Sequence, residues 1–380
     1  MRHDGCGVMP ATRAMLGSTV LVTGARGFIG SHLTKRLVDL GADVHAASRR
    51  PPTGWEVGTT AWQVDLTDAV ATDDLVQAVR PDVVFHLAGE ASGSRDVEAV
   101  QRSFAGNLAS TVNLMTSATG VGQPRIVLAG SMEEPHPDEV RMRASSPYAV
   151  SKWACAAYAR LFHDLWSLPT VVLRVAMAYG PGQPDEAKLV PHVIRCLLDS
   201  RAPELTSGTR QIDWVYIDDV VDAFLAAACA TSVEGRSLDI GSGKPVDIRQ
   251  TVTMLQQIIG TDVAARFGAL QDRKYDSARI ADLSESGPLL GWWARVGLVE
   301  GLTRTVDWYR ARRETATAEA VDRGAELAAP SQPGELNTVP CANQTGSRLD
   351  SWASTRHEQQ PLPVVPMQRS VAGSSRFGVS

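Results

Sequence analysis

The feature that most constrains this chain is an alternation of short β-branched apolar runs with longer helical patterns across its first 180 residues. Strand-like runs at 18–23, 43–47, 61–64, 82–87, 125–129 and 170–175 are interleaved with helical patterns at 28–40, 73–80, within 97–120 and at 147–165. A strand that reaches its successor through a helix lies parallel to it, with a right-handed crossover, so helices cover both faces of one sheet. The expected fold is α/β, a doubly wound parallel sheet over residues 18–180 of the Rossmann kind.

From 181 to 313 the pattern loosens and is assigned to a smaller C-terminal substrate-binding lobe, with parts of about 210–245 expected to return to the main sheet. Residues 1–17 are expected to be a flexible N-terminus. Residues 314–380 are expected to be a disordered tail, because a segment so rich in Ser, Gly, Gln and Pro buries too little apolar surface to offset its ordering entropy.

The first strand runs into Thr23-Gly24-Ala25-Arg26-Gly27-Phe28-Ile29-Gly30, which then opens a helix. Glycines let the backbone turn tightly and approach a pyrophosphate, and the helix N-terminus offers free N–H groups to its charge. This context makes Gly24, Arg26, Gly27, Phe28, Ile29 and Gly30 the expected cradle of a nicotinamide dinucleotide. Where an NAD enzyme carries an acidic residue after the second strand, this chain has Ser48, Arg49 and Arg50. A guanidinium pairs well with a 2′-phosphate, which favours NADP and leaves NAD open. Asp65 and Leu66 are placed to meet the adenine, and Leu87, Ala88 and Gly89 to lie along the cofactor. His86 is read either as a neighbour of the cofactor or as a core histidine.

Tyr148 and Lys152 are four residues apart at the start of a helix and so share a face. A lysine charge nearby is expected to lower the pKa of the phenol and to bind the nicotinamide ribose. Ser131, closing the fifth strand, is the expected third member, bonded to the reacting oxygen.

Composition narrows the remaining choices. The formal net charge of -5 argues against a nucleic-acid partner. No apolar run is long enough for a membrane span and none resembles a signal peptide, so a cytoplasmic protein is expected. The five cysteines, Cys6, Cys155, Cys196, Cys229 and Cys341, are scattered without metal-ligand or disulfide spacing, and no metal is expected.

With these residues in hand, the chain resembles an extended short-chain dehydrogenase/reductase of the NAD-dependent epimerase/dehydratase family from about residue 18 to 312. The resemblance rests on the glycine loop, Asp65-Leu66, His86-Leu87-Ala88-Gly89, Ser131, Tyr148 with Lys152, Arg174 through Tyr179-Gly180-Pro181-Gly182-Gln183, and Asp213-Trp214-Val215-Tyr216-Ile217-Asp218-Asp219-Val220. Leu289-Leu290-Gly291-Trp292 with Gly301-Leu302 extends it. It implies nucleotide-activated sugars as substrates, Asn107 as a residue supporting the active site, and a homodimer packed through the long helix before Gly120 and the Tyr148 helix.

Three departures stand out. Met177 occupies the place where such enzymes often have an asparagine near the substrate pyrophosphate. Ile212 precedes Asp213 where an arginine is common, leaving Arg210 or Arg273 as the expected phosphate contact. Met132 follows Ser131 where similar dehydratases carry an aspartate, although Glu133 is kept. With one acid missing and arginines at the ribose, the expected reaction is reduction of a 4-keto-6-deoxy nucleotide sugar, Tyr148 giving the proton. A 4,6-dehydratase or 4-epimerase recycling NAD is the alternative, and a non-catalytic cofactor-binding regulator the remote one.

Overall fold

The computed structural model describes residues 15–50, 57–135, 143–273, 275 and 278–328, the side chains of 316–328 excepted. The chain divides into two compact units, Met1–Glu326 and Leu327–Ser380. The architecture below belongs to the first, and of the second only Leu327 and Ala328 are described. Residues 1–14 and 329–380, which hold most of the expected N-terminal and C-terminal tails together with Cys6 and Cys341, lie outside the described residues.

A seven-stranded sheet forms the centre, built from β1 (Thr19–Thr23), β2 (Asp43–Ser48), β3 (Thr59–Gln63), β4 (Val83–His86), β5 (Arg125–Ser131), β6 (Thr170–Val175) and a later strand at Arg236–Ile240. Their spatial order is β3-β2-β1-β4-β5-β6, with Arg236–Ile240 at the far edge. Every pairing in this sheet is parallel. The α/β doubly wound class expected from the alternation is the one found.

Helices cover both faces because both faces of the strands are apolar. Leu33 and Leu37 of α1 (Phe28–Asp39) pack on one side with Val20, Val22 and Phe85. Leu75 and Val76 of α2 (Ala69–Val79) pack on the other with Leu21 and Val84. The chain then runs through α3 (Glu98–Ser103), a π-helical turn at Phe104–Ala109, and α4 (Ser110–Thr119). The expected long helix is thus interrupted in its middle, and Asn107 is buried in the interruption.

Helix α5 (Pro147–Trp166) starts where its caps dictate. The Ser146 hydroxyl accepts the Ala149 N–H, and Pro147, which has no N–H to leave unsatisfied, fills the first turn. That start puts Tyr148 at the top of the helix and Lys152 one turn below it.

The second half of the chain supplies a lobe with its own core. β7 (Met177–Tyr179) pairs parallel with β9 (Gln211–Tyr216), which pairs antiparallel with β11 (Pro245–Asp247). Between them come α6 (Leu189–Leu198) and β8 (Glu204–Leu205), and after β9 come α7 (Ile217–Cys229) and β10, the sheet strand Arg236–Ile240. Helix α8 (Ile248–Ile259), β12 (Arg266–Phe267), α9 (Leu283–Leu290) and α10 (Leu298–Ala328) complete the order. Tyr179, Trp214, Tyr216, Ile194, Leu255 and Leu302 form this lobe's core. Of the returning stretch only β10 joins the main sheet; β9 stays in the lobe. Helix α10 also continues to Ala328, beyond the change of composition near Glu314.

Candidate active site

The site is built at the C-terminal ends of the parallel strands, where the glycine loop, the exits of β4 and β5, and the first turns of α5 come together. Gly24 has φ +67, and a Cβ there would lie 2.6 Å from the backbone nitrogen of Ala88. The loop after β1 is therefore pressed against the exit of β4, with the Leu87 N–H donating to the Thr23 carbonyl at 3.2 Å. A Cβ on Gly30 would run into the carbonyl of Gly24, so the first turn of α1 closes directly on the loop. Gly27 caps α1 without a side chain over its N–H groups, and the first turn carries no acidic residue. These features fit a dinucleotide pyrophosphate, which needs close backbone approach and an uncovered helix N-terminus. Phe28 and Ile29 are half-buried in that first turn, and Arg26 is half-buried beside it.

The residues expected at the adenosine end share one edge. Ser48 ends β2, accepts the Arg50 N–H on its hydroxyl at 3.1 Å, and gives its carbonyl to the Val64 N–H. Arg49 and Arg50 are exposed beside it. Asp65 is exposed and receives the N–H and hydroxyl of Thr67, while Leu66 is buried with its carbonyl held by Asn113.

At the other end, Gly89 lies against Asn107 and α5, since a Cβ there would stand 3.5 Å from Lys152 Nζ and collide with Asn107 Oδ1. Asn107 accepts the Glu90 N–H at 2.8 Å and donates to the Glu90 carbonyl and the Ser151 hydroxyl. Lys152 Nζ donates to the Ala129 carbonyl at 2.8 Å, near the end of β5. The Ser131 hydroxyl hydrogen-bonds the Tyr148 phenol.

The electrostatics differ from the simple expectation for Tyr148. Burial is the leading influence and pushes the phenol well above the ordinary tyrosine range, with the Ser131 hydrogen bond opposing it. Burial likewise pushes the Lys152 ammonium down. The lysine charge was expected to acidify the phenol; desolvation of the phenol moves it the other way. At neutral pH Tyr148 therefore holds its proton, as a donor must.

His86 proves to be a core histidine. Its side chain is buried, with Nδ1 2.8 Å from the Thr23 hydroxyl and Nε2 2.9 Å from the Thr111 hydroxyl. Because Thr111 donates to the Asn107 carbonyl, it must accept from His86, which assigns the proton to Nε2. Burial, reinforced by the Lys152 charge, lowers the pKa to about 3, so the ring is neutral.

Sequence reasoning singled out Glu133, which is half-buried, and passed over Glu134, which is 5% exposed. Glu134 Oε1 accepts the Ser131 N–H at 2.6 Å, while the Ser131 hydroxyl accepts the Glu133 N–H at 3.1 Å. This is close to the reciprocal pattern of a helix capping box, Ser-x-x-Glu, used here to fix a turn. The spacing was legible, but without a helical pattern after it the signal passed unnoticed. Arg174 and Asp239 lie nearby, with Arg174 Nε donating to Asp239 Oδ1 at 2.7 Å.

Toward the lobe, Arg273 comes close to the loop after β4, its Nη1 3.3 Å from where a Gly93 Cβ would stand. Lys188 Nζ donates to the Ala91 carbonyl of the same loop, and Arg143 sits over the Tyr275 ring. Asp272 receives the N–H and hydroxyl of Ser207, which brings the Arg273 segment to the one leading into Arg210. Met177 is half-buried at the head of β7, paired with Trp214. Neither Arg143 nor Lys188 carried a sequence signal. No group of His, Cys, Asp or Glu suited to a metal ion occurs among the described residues.

Comparison with known proteins identifies the family. The chain is 29% identical over 315 residues to a UDP-glucose 4-epimerase of Mycolicibacterium smegmatis, covering 76% of this chain and 98% of that one. It is 30% identical over 325 residues to a dTDP-glucose 4,6-dehydratase of Actinoplanes sp., covering 77% and 98%. Among solved structures, the UDP-glucose 4-epimerase of Thermus thermophilus in complex with NAD superposes with a TM-score of 0.69 at 27% identity, covering 77% of this chain and 98% of that one. The pattern of the NAD dependent epimerase/dehydratase family matches residues 20–241, well over half the chain. The matched span includes the glycine loop, the main sheet, Ser131, Tyr148 and Lys152, and the protein belongs to the NAD dependent epimerase/dehydratase family.

Proposed function

We propose that the chain transfers a hydride at C4 of a nucleotide-activated sugar, and that its reaction is a redox-neutral 4-epimerisation with NAD. The observation that carries this is the convergence of Gly89, Lys152 and Asn107 beside the glycine loop, with Ser131 bonded to Tyr148 at the same strand ends. Bound nicotinamide would take up and return the hydride. Tyr148 exchanges a proton with the C4 oxygen, Ser131 hydrogen-bonds that oxygen, and Lys152 orients the ribose from its perch on Ala129. Arg273, with Lys188 at the same loop after β4, supplies charge for the sugar diphosphate, and Arg210 is the second candidate. Names of similar proteins favour 4-epimerases and 4,6-dehydratases, and dehydration is the weaker of the two because Met132 replaces the acid beside Ser131.

Reduction of a 4-keto-6-deoxy nucleotide sugar by NADPH is the second reading. It is favoured by Arg49 and Arg50, exposed at the end of β2 where a 2′-phosphate would lie. We also infer a homodimer, because α3 and α5 pack together and leave Val100, Phe104, Trp153 and Leu161 exposed.

The deciding experiment supplies purified protein with UDP-glucose and catalytic NAD and follows formation of the C4 epimer. Epimer formation supports the first reading. Stoichiometric NADPH oxidation with a 4-keto-6-deoxy nucleotide sugar, and no epimer, moves the assignment to the second. Cofactor binding with neither reaction would leave a non-catalytic binding protein.

A further inference from the structure

Glu134 is a buried carboxylate, 5% exposed. It lies beneath the end of β5, and a Cβ on Gly130 would stand 2.8 Å from its Oε1, so the bare backbone of Gly130 makes the room. Its N–H donates to the Ser131 carbonyl at 3.1 Å while its Oε1 takes the Ser131 N–H, so both peptide groups of the serine are held by one residue. Lys152 is bonded to Ala129, two residues away on the same strand end.

We propose that Glu134 is a positioning residue of the catalytic set: it fixes Ser131 through its backbone, and its charge sets how tightly Tyr148 and Lys152 hold their protons. The proposal rests on the reading of Tyr148 and Lys152 as the proton-transfer pair.

The charged groups facing Glu134 come from four elements. Lys152, with Tyr148 and Cys155, faces it from α5, Arg174 from β6 and Asp239 from β10, and Glu133 is its chain neighbour in the turn. Burial raises its carboxyl to about 7, with Asp239 adding to the rise and the Ser131 N–H, Lys152 and Arg174 opposing it. The group therefore changes charge close to neutrality. As an anion it raises the proton affinity of both Tyr148 and Lys152, which suits removal of a proton from a hydroxyl. When neutral it lowers both, which suits protonation of an alkoxide. A reaction that both oxidises and reduces C4 uses both directions.

The test compares the full-length, NAD-loaded wild type with Glu134→Gln, which keeps an oxygen acceptor for the Ser131 N–H but cannot ionise. Thermal melts are run from pH 4.5 to 8.5. A raised carboxyl contributes stability below its unfolded value of 4.5 that is lost as pH rises through about 7. The wild type is thus expected to lose stability relative to the variant across that window. In a Lys152→Met background the midpoint of this difference is expected to move up in pH, because a neighbouring cation is gone. With UDP-glucose as probe, the pH–rate profile of Glu134→Gln is expected to move to lower pH and its maximum to fall.

Identical melting profiles for wild type and Glu134→Gln, or a midpoint indifferent to Lys152, would overturn the coupling. An unchanged pH–rate profile would overturn it independently should Lys152→Met fail to fold. If the wild type does not turn over UDP-glucose, that reading of the function fails, while the melts still decide whether Glu134 and Lys152 share a proton equilibrium.

Discussion

At the residue scale the site is a contest between desolvation and hydrogen bonding, and Tyr148 shows the result. Its spacing from Lys152 was plain in the sequence, yet burial rather than the lysine governs its proton. Replacing Tyr148 by Phe removes the donor and keeps the ring. Turnover is expected to fall by about 10²–10⁴-fold, the usual worth of a positioned acid–base group, with cofactor binding and melting temperature little changed. Retained turnover would remove Tyr148 from its role. His86 yields a prediction of opposite sign to Glu134. Its folded pKa, about 3, lies below its unfolded 6.5, so its contribution to stability is present above 6.5 and lost as pH falls toward 3. Between 4.5 and 6.5 the two groups act against each other and flatten the wild-type profile. The chain with His86→Gln is expected to lose less stability than wild type on acidification, as read by thermal melts; parallel profiles would show that the ring is not buried neutral. Tyr148, Lys152 and Ser131 were legible because a helix period and a strand end place them. The burial of Glu134 and the choice between the two readings of His86 were not, because burial among partners from other strands is invisible in a one-dimensional pattern.

At the scale of elements, the motif Asp213-Trp214-Val215-Tyr216 was recognisable, while the work of its aspartate was not. Asp213 Oδ1 accepts the Ser242 N–H and hydroxyl, and Oδ2 accepts the N–H groups of Gly243 and Ala281. One buried carboxylate in β9 thereby ties together the loop after β10 and the approach to α9. Asp213→Asn turns an amide N–H₂ toward backbone donors at one of these oxygens. The expected cost is about 2 kcal/mol, in the range for leaving buried donors unsatisfied, measured by denaturant unfolding. A loss within experimental error would mean that the loops are held by other contacts. The π-helical turn at Phe104–Ala109 belongs at this scale too. Its apolar pattern read as one long helix, and the interruption is visible only once Asn107 is seen bonded to Glu90 and Ser151.

At the scale of the whole molecule, one face leaves apolar side chains uncovered. Val100 and Phe104, at α3 and the turn after it, and Trp153 and Leu161 of α5 remain exposed although α3 and α5 pack on each other. Apolar side chains left exposed on adjoining helices are characteristic of an association surface. Trp153→Glu would place two like charges at a two-fold interface, and sedimentation at micromolar concentration is expected to change from dimer to monomer. A monomeric wild type would refute the assembly. No helix among the described residues is long and apolar enough to cross a membrane.

By itself the sequence determined the fold class and the elements on which the glycine loop, Ser131, Tyr148 and Lys152 stand. These depend on local causes: the two periodicities, glycine's conformational freedom, and a cap that starts α5 at Pro147. Only the tertiary structure decided which of two adjacent glutamates is buried under Ser131. It alone made His86 a neutral core residue, sent β10 to the main sheet while β9 stayed in the lobe, and brought Lys188 and Arg273 to one loop. Each of those outcomes depends on desolvation and on partners far away in the chain, and neither quantity exists until the chain has closed on itself.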